Sequence, residues 1–543
     1  FPIFNARWDG KTLAKCKGLT GEMVALAVAP SGTVVMVGDS GAAARSVDGG
    51  VTWKTVSLGN QANFNDVAIV DGAFVAVGSK GTIRTSVDDG LTWKPLASNT
   101  KAELWSIGSW GKGALIGGDH GLLMKVEAPG DTYWKGAADT FAPKPIVTAS
   151  VSRLAVPSAA QRDAREADLL ASASPGKVGE PRLPVDDHDA AILQAIDDID
   201  GYKIYGDYLQ STGDVRGELV ALATAGHKDA KKYAKQHQAE LLSEDLISPA
   251  VELTQRWGFI EKARLFTPDV WDDEEGDRSR VPERLEALLS HPAARFLKNL
   301  TFGILTAVDN DYGEIISVLQ KKELPSLRSL DIGDFGSEET ETSWSAIGNA
   351  SKLWPAVPNL ETLKLHSGSM KLGRIVLPKL VSLTIMTGGF DKDNLQSIEK
   401  AVMPKLERLN LWFGRDRYGS DVQLKDLTKL LHSDRFPRLK HLGIINFSFT
   451  DELCAKLHES PLVAQVTSLD LSNGTLSDAG VRSLATFARG LAHLEALDVH
   501  GSYLSPSGIK LLKKSLPGVK IEIKRQRYDD ANETQHRYAA LGE

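Results

Sequence analysis

Residues 403–411 read MPKLERLNL, and six other segments carry the same pattern: LPSLRSLDI (324–332), VPNLETLKL (357–365), LPKLVSLTI (377–385), FPRLKHLGI (436–444), VAQVTSLDL (463–471) and LAHLEALDV (491–499). Alignment makes Leu330, Leu363, Leu383, Leu409, Leu442, Leu469 and Leu497 equivalent, at steps of 33, 20, 26, 33, 27 and 28 residues. One such unit cannot bury its own leucines. Stacked units can, each giving one short strand to a parallel sheet and returning through an outer helix or turn. LKNLTFGI (297–304) and GVKIEIK (518–524) are expected to cap the two ends.

Strand side chains alternate between faces. The residue between the two last leucine positions, and those two before and two after it, therefore point away from the core. This rule places Lys364, His366, Thr384, Met386, Arg408, Asn410, Trp412, His441, Ile445, Asp470, Ser472, Asp498 and His500 on the concave face. Met386, Trp412 and Ile445 fall side by side on consecutive strands, an apolar patch where solvated residues are expected, and are read as a partner contact. His366 and His441 are three strands apart, about 14 Å at roughly 4.8 Å per strand, and His500 is further away. They cannot share one zinc ion, whose ligands lie at about 2 Å, so no metal is expected.

The details IGDF, TGGF, LWFGRDRYGSD, LSNGTLSDAG and HGSYLS resemble a bacterial leucine-rich-repeat family of unknown function across about residues 320–508. Upstream, DDHDAAILQAIDDIDGYKIYGDYLQSTGDVRGELVAL (186–222) has helical apolar spacing, with Gly213-Asp214 dividing two runs. Tyr205, Asp207, Leu209, Gly213, Asp214, Arg216, Gly217 and Glu218 resemble the small repeat-companion domain that precedes leucine-rich repeats in myxobacterial and planctomycete proteins. That family usually has tryptophan where this chain has Tyr208. WGFIEKARLF (257–266) and LLSHPAARFLKNLTFG (288–303) extend the likeness. Asp207, Asp214, Arg216 and Glu218 are read as structural charge pairing at the helix turn rather than a catalytic cluster.

Near the start, VGDSGAAARSVDGGVTWK (37–54) contains the G-D-S-G that surrounds the nucleophile of chymotrypsin-like proteases. VGSKGTIRTSVDDGLTWK (77–94) aligns with it at a step of 40 residues, without a gap, and sets Lys80 against Ser40. A third copy places Gly118, Gly121, Gly130 and Thr132 at the same step, with Trp134 displaced by one. A repeating G-x-x-G is a turn that needs glycine backbone, not a protease site. SVDGGVTW and SVDDGLTW match the Asp-box, S-x-D-x-G-x-T-W, of sialidase-like and photosystem-assembly-type β-propellers. The resemblance implies a structural role for Asp48, Gly50, Trp53, Asp88, Gly90 and Trp93, away from any catalytic face. A sialidase needs three converging arginines. This region offers Arg7, Arg45 and Arg84, with Tyr133, and Arg45 and Arg84 occupy alternating positions expected to face opposite sides of their sheets.

The 543 residues, 42% hydrophobic, allow three to four domains, and a net charge of -7 gives no case for nucleic acid or an anionic membrane. HKDAKKYAKQHQAEL (227–241), with only Tyr233 to interleave, reads as a solvated helix face. Two cysteines, Cys16 and Cys454, favour a reducing cytosol, and no apolar run is long enough to span a membrane. Prolines 143, 145, 157, 175, 181 and 184, among many Ala and Ser residues, read as a tether, interrupted by a helical piece with Ser158 as its N-cap.

The expected architecture is multidomain. An all-β, propeller-like segment of about three Asp-box repeats (1–140) leads through a Pro/Ala/Ser-rich linker (141–185) to a small α-helical repeat-companion domain (186–303). An α/β leucine-rich-repeat solenoid (304–525) and a polar tail (526–543) follow. Three copies fall short of a closed propeller, so a divergent blade, upstream sequence or a second copy is required, and self-association through this segment is the expectation. The expected function is a non-catalytic, cytoplasmic, cofactor-free bacterial scaffold or adaptor that binds a protein through the concave face. An immunity or inhibitor protein occluding a toxin is the first alternative, and a glycosidase acting through the propeller the second.

Overall fold

The computed structural model describes residues 6–8, 13–19, 21–110, 112–119, 122–126, 139–140, 152–173, 187–268 and 280–527. They fall into two compact units that divide between Ile146 and Val147. Gly121, Gly130, Thr132, Tyr133 and Trp134 of the third copy, and residues 528–543 of the expected tail, lie outside the described residues.

The first unit contains a two-stranded antiparallel sheet, Ala6–Trp8 with Leu13–Lys15, followed by three four-stranded antiparallel sheets in sequence order. Sheet one comprises Met23–Val28, Val34–Gly38, Ala43–Ser46 and Lys54–Thr55. Sheet two comprises Phe64–Val70, Ala73–Gly78, Thr82–Ser86 and Lys94–Leu96. Sheet three comprises Leu104–Trp110, Gly113–Gly118, Leu122–Val126 and Asp139–Thr140. Period-2 alternation gives each sheet two different faces. Ala27, Val35 and Val37 of sheet one pack on Phe64, Val67 and Phe74 of sheet two. The opposite side of sheet two, with Val70, Val75, Val77 and Ile83, packs on Leu104, Ile107 and Ile116 of sheet three.

The G-x-x-G segments are turns. Ser40 and Lys80 both adopt the left-handed conformation, at φ 54 and 53, and the glycines that follow are also at positive φ. A Cβ on Gly81 would stand 2.0 Å from the Thr100 carbonyl oxygen, so the segment leading to the next sheet approaches too closely for any other residue.

In the second unit one sheet of eleven strands is present among the described residues. Val251–Arg256 pairs antiparallel with Phe259–Leu265, and every later pairing is parallel: Asn299–Gly303, Ser329–Asp334, Thr362–His366, Ser382–Met386, Arg408–Trp412, His441–Ile445, Ser468–Asp470, Ala496–Asp498 and Lys520–Glu522. The seven leucines aligned by sequence are neighbours in an unbroken register ladder, Leu330, Leu363, Leu383, Leu409, Leu442, Leu469, Leu497. All seven are buried in one core that runs from Leu219 to Val519. Ile521 lies on the last strand, as expected for a cap, whereas the strand of Leu300 is not the other end of the sheet, because Phe259–Leu265 and Val251–Arg256 continue beyond it.

The region expected to be helical over 186–303 does begin with helices, Asp187–Gln194, Ile199–Ser211 and Val215–Thr224, but it also supplies the first three strands of the long sheet. WGFIEKARLF is a hairpin arm: Trp257 and Gly258 both take positive φ, at 50 and 83, as a two-residue turn between twisted strands requires. The helical piece expected within the linker is Ala159–Ala171, whose N-cap Ser158 forms the capping box with Gln161. Ion pairs from Arg438 to Glu166 and Asp163, and from Arg165 to Asp434, fix it to the leucine-repeat body.

Candidate functional site

The helix turn at 213–214 does not form the expected charge cluster. Asp214 caps Val215–Thr224 by accepting from the Arg216 backbone N–H at 2.8 Å. The buried Arg216 guanidinium donates to the Leu241 carbonyl at 2.9 Å, and Glu218 accepts from Gln210 at 2.9 Å. Asp207 is exposed. The short-range cap occupies Asp214, and Arg216 and Glu218 turn to other partners rather than to one another. The charge pairing of this region lies elsewhere, between the buried Asp189 and Arg295, whose Nη1 also donates to the Tyr205 hydroxyl at 2.7 Å.

In the first unit the two S-x-D-x-G-x-T-W segments close matching networks. Asp48 Oδ1 accepts from Ser46 Oγ at 2.7 Å and from the Thr52 N–H at 2.9 Å, and Asp88 Oδ1 accepts from Ser86 Oγ at 2.8 Å and the Thr92 N–H at 2.9 Å. The second oxygen of each accepts from the threonine hydroxyl. Gly50 and Gly90 donate to the serine hydroxyls, and Trp53 and Trp93 Nε1 donate back to the Gly50 and Gly90 carbonyls. Hydrogen bonds from Thr52 hold the Asp48 carboxyl far below the usual carboxylate range. Arg45 and Arg84 point into the junction of sheets one and two from opposite sides, where their Nε atoms donate to the Asp89 and Leu58 carbonyls. Each is thus engaged by backbone.

The sheet face of the leucine repeats carries a row of intervening residues in register: Asp331, Lys364, Thr384, Asn410, Gly443, Asp470 and Asp498. Lys364 reaches Asp331 at 3.3 Å. Asn410 Nδ2 donates to Thr384 Oγ1 at 3.5 Å, and its Oδ1 accepts from His441 Nε2 at 2.7 Å. His441 Nδ1 lies 3.0 Å from Ser468 Oγ. Asp470 accepts from the Ser472 N–H at 2.9 Å, and Asp498 pairs with His500 Nδ1 at 2.8 Å, while His500 Nε2 meets the Asn473 amide at 3.1 Å. Burial pushes the Asp331 and Asp470 carboxyls up and the His441 imidazole down to about 4, Arg408 adding to the last.

Three expected surface residues are covered. His366 is buried under the Phe335 ring at 4.2 Å, with Nε2 bonded to Thr342 Oγ1 at 2.9 Å and Nδ1 to the Gly333 carbonyl at 3.0 Å. Ile445 is buried because Gly443 leaves a gap two residues before it, where its Cδ1 would stand 3.0 Å from a glycine Cβ. Ser472 is buried as well. Met386 and Trp412 stay half-buried, next to each other because Ile385 pairs with Leu411. Arg408 is exposed, and Lys364, Asn410, His441, Asp470, Asp498 and His500 are partly exposed. Asp331 is readable from LPSLRSLDI by the same alternation rule. The role of Gly443 emerges only from its neighbours: a Cβ there would lie 2.4 Å from Asn410 Oδ1. His366 and His441 lie on separate strands and His500 in the turn after Ala496–Asp498, each with its own hydrogen bonds.

No family model matches the chain, and no curated protein matches it. Among solved structures, a Bacteroides fragilis protein is 30% identical over 43% of this chain and 67% of its own, with a TM-score of 0.41. YCF48 bound to a D1 peptide is 16% identical over 24% of this chain and 43% of its own, with a TM-score of 0.20. An internalin from Listeria monocytogenes is 16% identical over 46% of this chain and 72% of its own, with a TM-score of 0.24. No helix among the described residues is long and apolar enough to cross a membrane. Cys16 and Cys454 are both free thiols, the latter buried.

Proposed function

We propose that this chain is a non-catalytic interaction protein, a scaffold or adaptor, that binds a protein partner through the open sheet face of its leucine repeats. In this reading the amino-terminal sheets are an Asp-box propeller segment whose aspartates serve the turns. The observation that carries it is the contrast along one face. The intervening polar residues Asp331, Lys364, Thr384, Asn410, Asp470 and Asp498 each have a hydrogen-bond or ion-pair partner nearby, whereas Met386 and Trp412 keep apolar surface in contact with water beside the exposed Arg408. Aromatic and arginine side chains in that setting are the usual energetic anchors of protein interfaces. The engagement of Asp48, Asp88, Arg45 and Arg84 by backbone and turn partners supports a non-catalytic role for the first unit.

The test is affinity capture with the full chain as bait, followed by binding measurements on each captured protein with wild type and Trp412→Ala. The expected result is one partner whose affinity falls about thirtyfold, equivalent to about 2 kcal/mol, with the leucine-repeat melting transition preserved. A partner bound equally well by both chains overturns the assignment of this face.

A further inference from the structure

The three amino-terminal sheets are built on one register. Met23 pairs with Gly38, Phe64 with Gly78 and Leu104 with Gly118, and a bulge follows each. Beyond it Leu26 pairs with Met36, Val67 with Ala76 and Ile107 with Ile116, so Leu26, Val67 and Ile107 hold the same position in successive sheets. Val67 is 4% exposed and Ile107 8%, each pressed on the sheet before it, whereas Leu26 is 56% exposed. Val24 and Val28 lie on the same face by strand alternation and are also exposed.

The opposite faces show the same imbalance at the other end. Val70 and Ile83 of sheet two are buried against sheet three. Their register equivalents in sheet three are Trp110, which pairs with Gly113 as Val70 pairs with Ala73, and Leu123, which pairs with Gly117 as Ile83 pairs with Val77. Trp110 is 51% exposed and Leu123 41%. Among the described residues, the middle sheet is therefore covered on both sides and the flanking four-stranded sheets on one each. The open face of sheet one is the kind that receives a preceding sheet. The open face of sheet three is the kind that receives a following one.

We propose that these two faces are a head-to-tail interface between two copies of this chain, the Leu26 face of one copy packing on the Trp110 face of the other. The packing continues an interface the chain already makes twice, between sheets one and two and between sheets two and three. Surfaces this apolar are seldom left in water when a matching surface exists. Because the faces are different, the contact is heterologous, and two copies of three sheets close a ring that leaves neither face open. The inference rests on sheet packing alone and is independent of the partner-binding face, so Trp412→Ala leaves the assembly unchanged.

Sedimentation of the full chain tests it, with wild type, Leu26→Glu, Trp110→Glu and an equimolar mixture of the two variants. Wild type is expected at twice the chain mass. Each variant alone is expected to dissociate at least a hundredfold more readily, because every contact then contains one damaged face. The mixture is expected to recover association, since the Trp110→Glu chain offers an intact Leu26 face to the intact Trp110 face of the other. Val28→Lys and Leu123→Lys repeat the pair at neighbouring exposed positions, and unchanged amide exchange in Ala73–Gly78 shows that the sheets remain folded. A wild-type monomer at tens of micromolar overturns the proposal and leaves another segment or another protein as the cover. A mixture no tighter than its components overturns the head-to-tail arrangement.

Discussion

Arg438 Nε donates to Glu166 Oε2 at 2.7 Å, although 272 residues separate the two. The same guanidinium bonds Asp163, and these acceptors raise its already high pKa. Arg153 donates to the Ala464 carbonyl at 2.8 Å. The helix Ala159–Ala171 is thus tied to the leucine-repeat body by charge and backbone contacts near its start. Partly exposed pairs of this kind contribute about 0.2–1 kcal/mol each. Arg438→Ala is therefore expected to speed proteolysis and amide exchange within 152–173 and to lower the melting temperature of the leucine repeats little. Unchanged exchange in the helix would show that apolar contact, through the buried Leu169, holds it alone.

Asp88 closes its turn through three side-chain hydrogen bonds, from the Ser86 hydroxyl, the Thr92 N–H and the Thr92 hydroxyl, and Asp88→Ala removes them together. The expected cost is about 1–2 kcal/mol, read as faster amide exchange in Thr82–Ser86 and Lys94–Leu96. Burial works to raise the Asp88 carboxyl, and the bonds from Thr92 and Ser86 together outweigh it, so the folded pKa lies below the usual range. A carboxylate with a depressed folded pKa stabilises the fold above its unfolded pKa and loses that effect as pH falls through the folded value. The wild-type unit is expected to weaken in acid, and the Asp88→Ala chain to weaken less.

Burial lowers His366 to about 4, despite the Gly333 carbonyl, and His441 likewise to about 4. In the unfolded chain both titrate near 6.5. Below that value the unfolded state takes up protons first, so the folded state loses stability between roughly pH 6.5 and pH 4 and is unaffected above that window. For the well-buried His366 the loss is about 2 kcal/mol after allowance for solvent screening. His366→Asn should flatten the pH dependence of the leucine-repeat melting temperature across that window. An unchanged slope would assign it to other groups.

Gly443→Ala places a methyl group 2.4 Å from Asn410 Oδ1 and 3.0 Å from Ile445 Cδ1. The Asn410–His441 bond must open and Ile445 must lift, at an expected cost of about 1–3 kcal/mol. In the double variant with Asn410→Ala the clash with the amide disappears, so the combined loss should be smaller than the sum of the single losses. Simple additivity in denaturant titrations would place the strain elsewhere.

The sequence by itself determined whatever depends on neighbours along the chain. The seven leucines fall into register despite steps as uneven as 20 and 33 residues, because an L-x-L strand sets its face within three residues while the return segment varies freely. The Asp48 and Asp88 turns are legible for the same reason, since donors and acceptors lie within eight residues, and so is the Ser158 cap. Tertiary structure decided which of those positions reach solvent. His366 obeys the alternation rule, yet Phe335 from a preceding loop lies on it, and Ile445 settles into the gap beside Gly443. Trp257 bends a strand into a hairpin in a conformation that its side chain disfavours, and Arg438 finds Glu166 across 272 residues. Periodicity fixes the direction in which a side chain leaves the backbone. What meets it there depends on segments brought together only when the core closes.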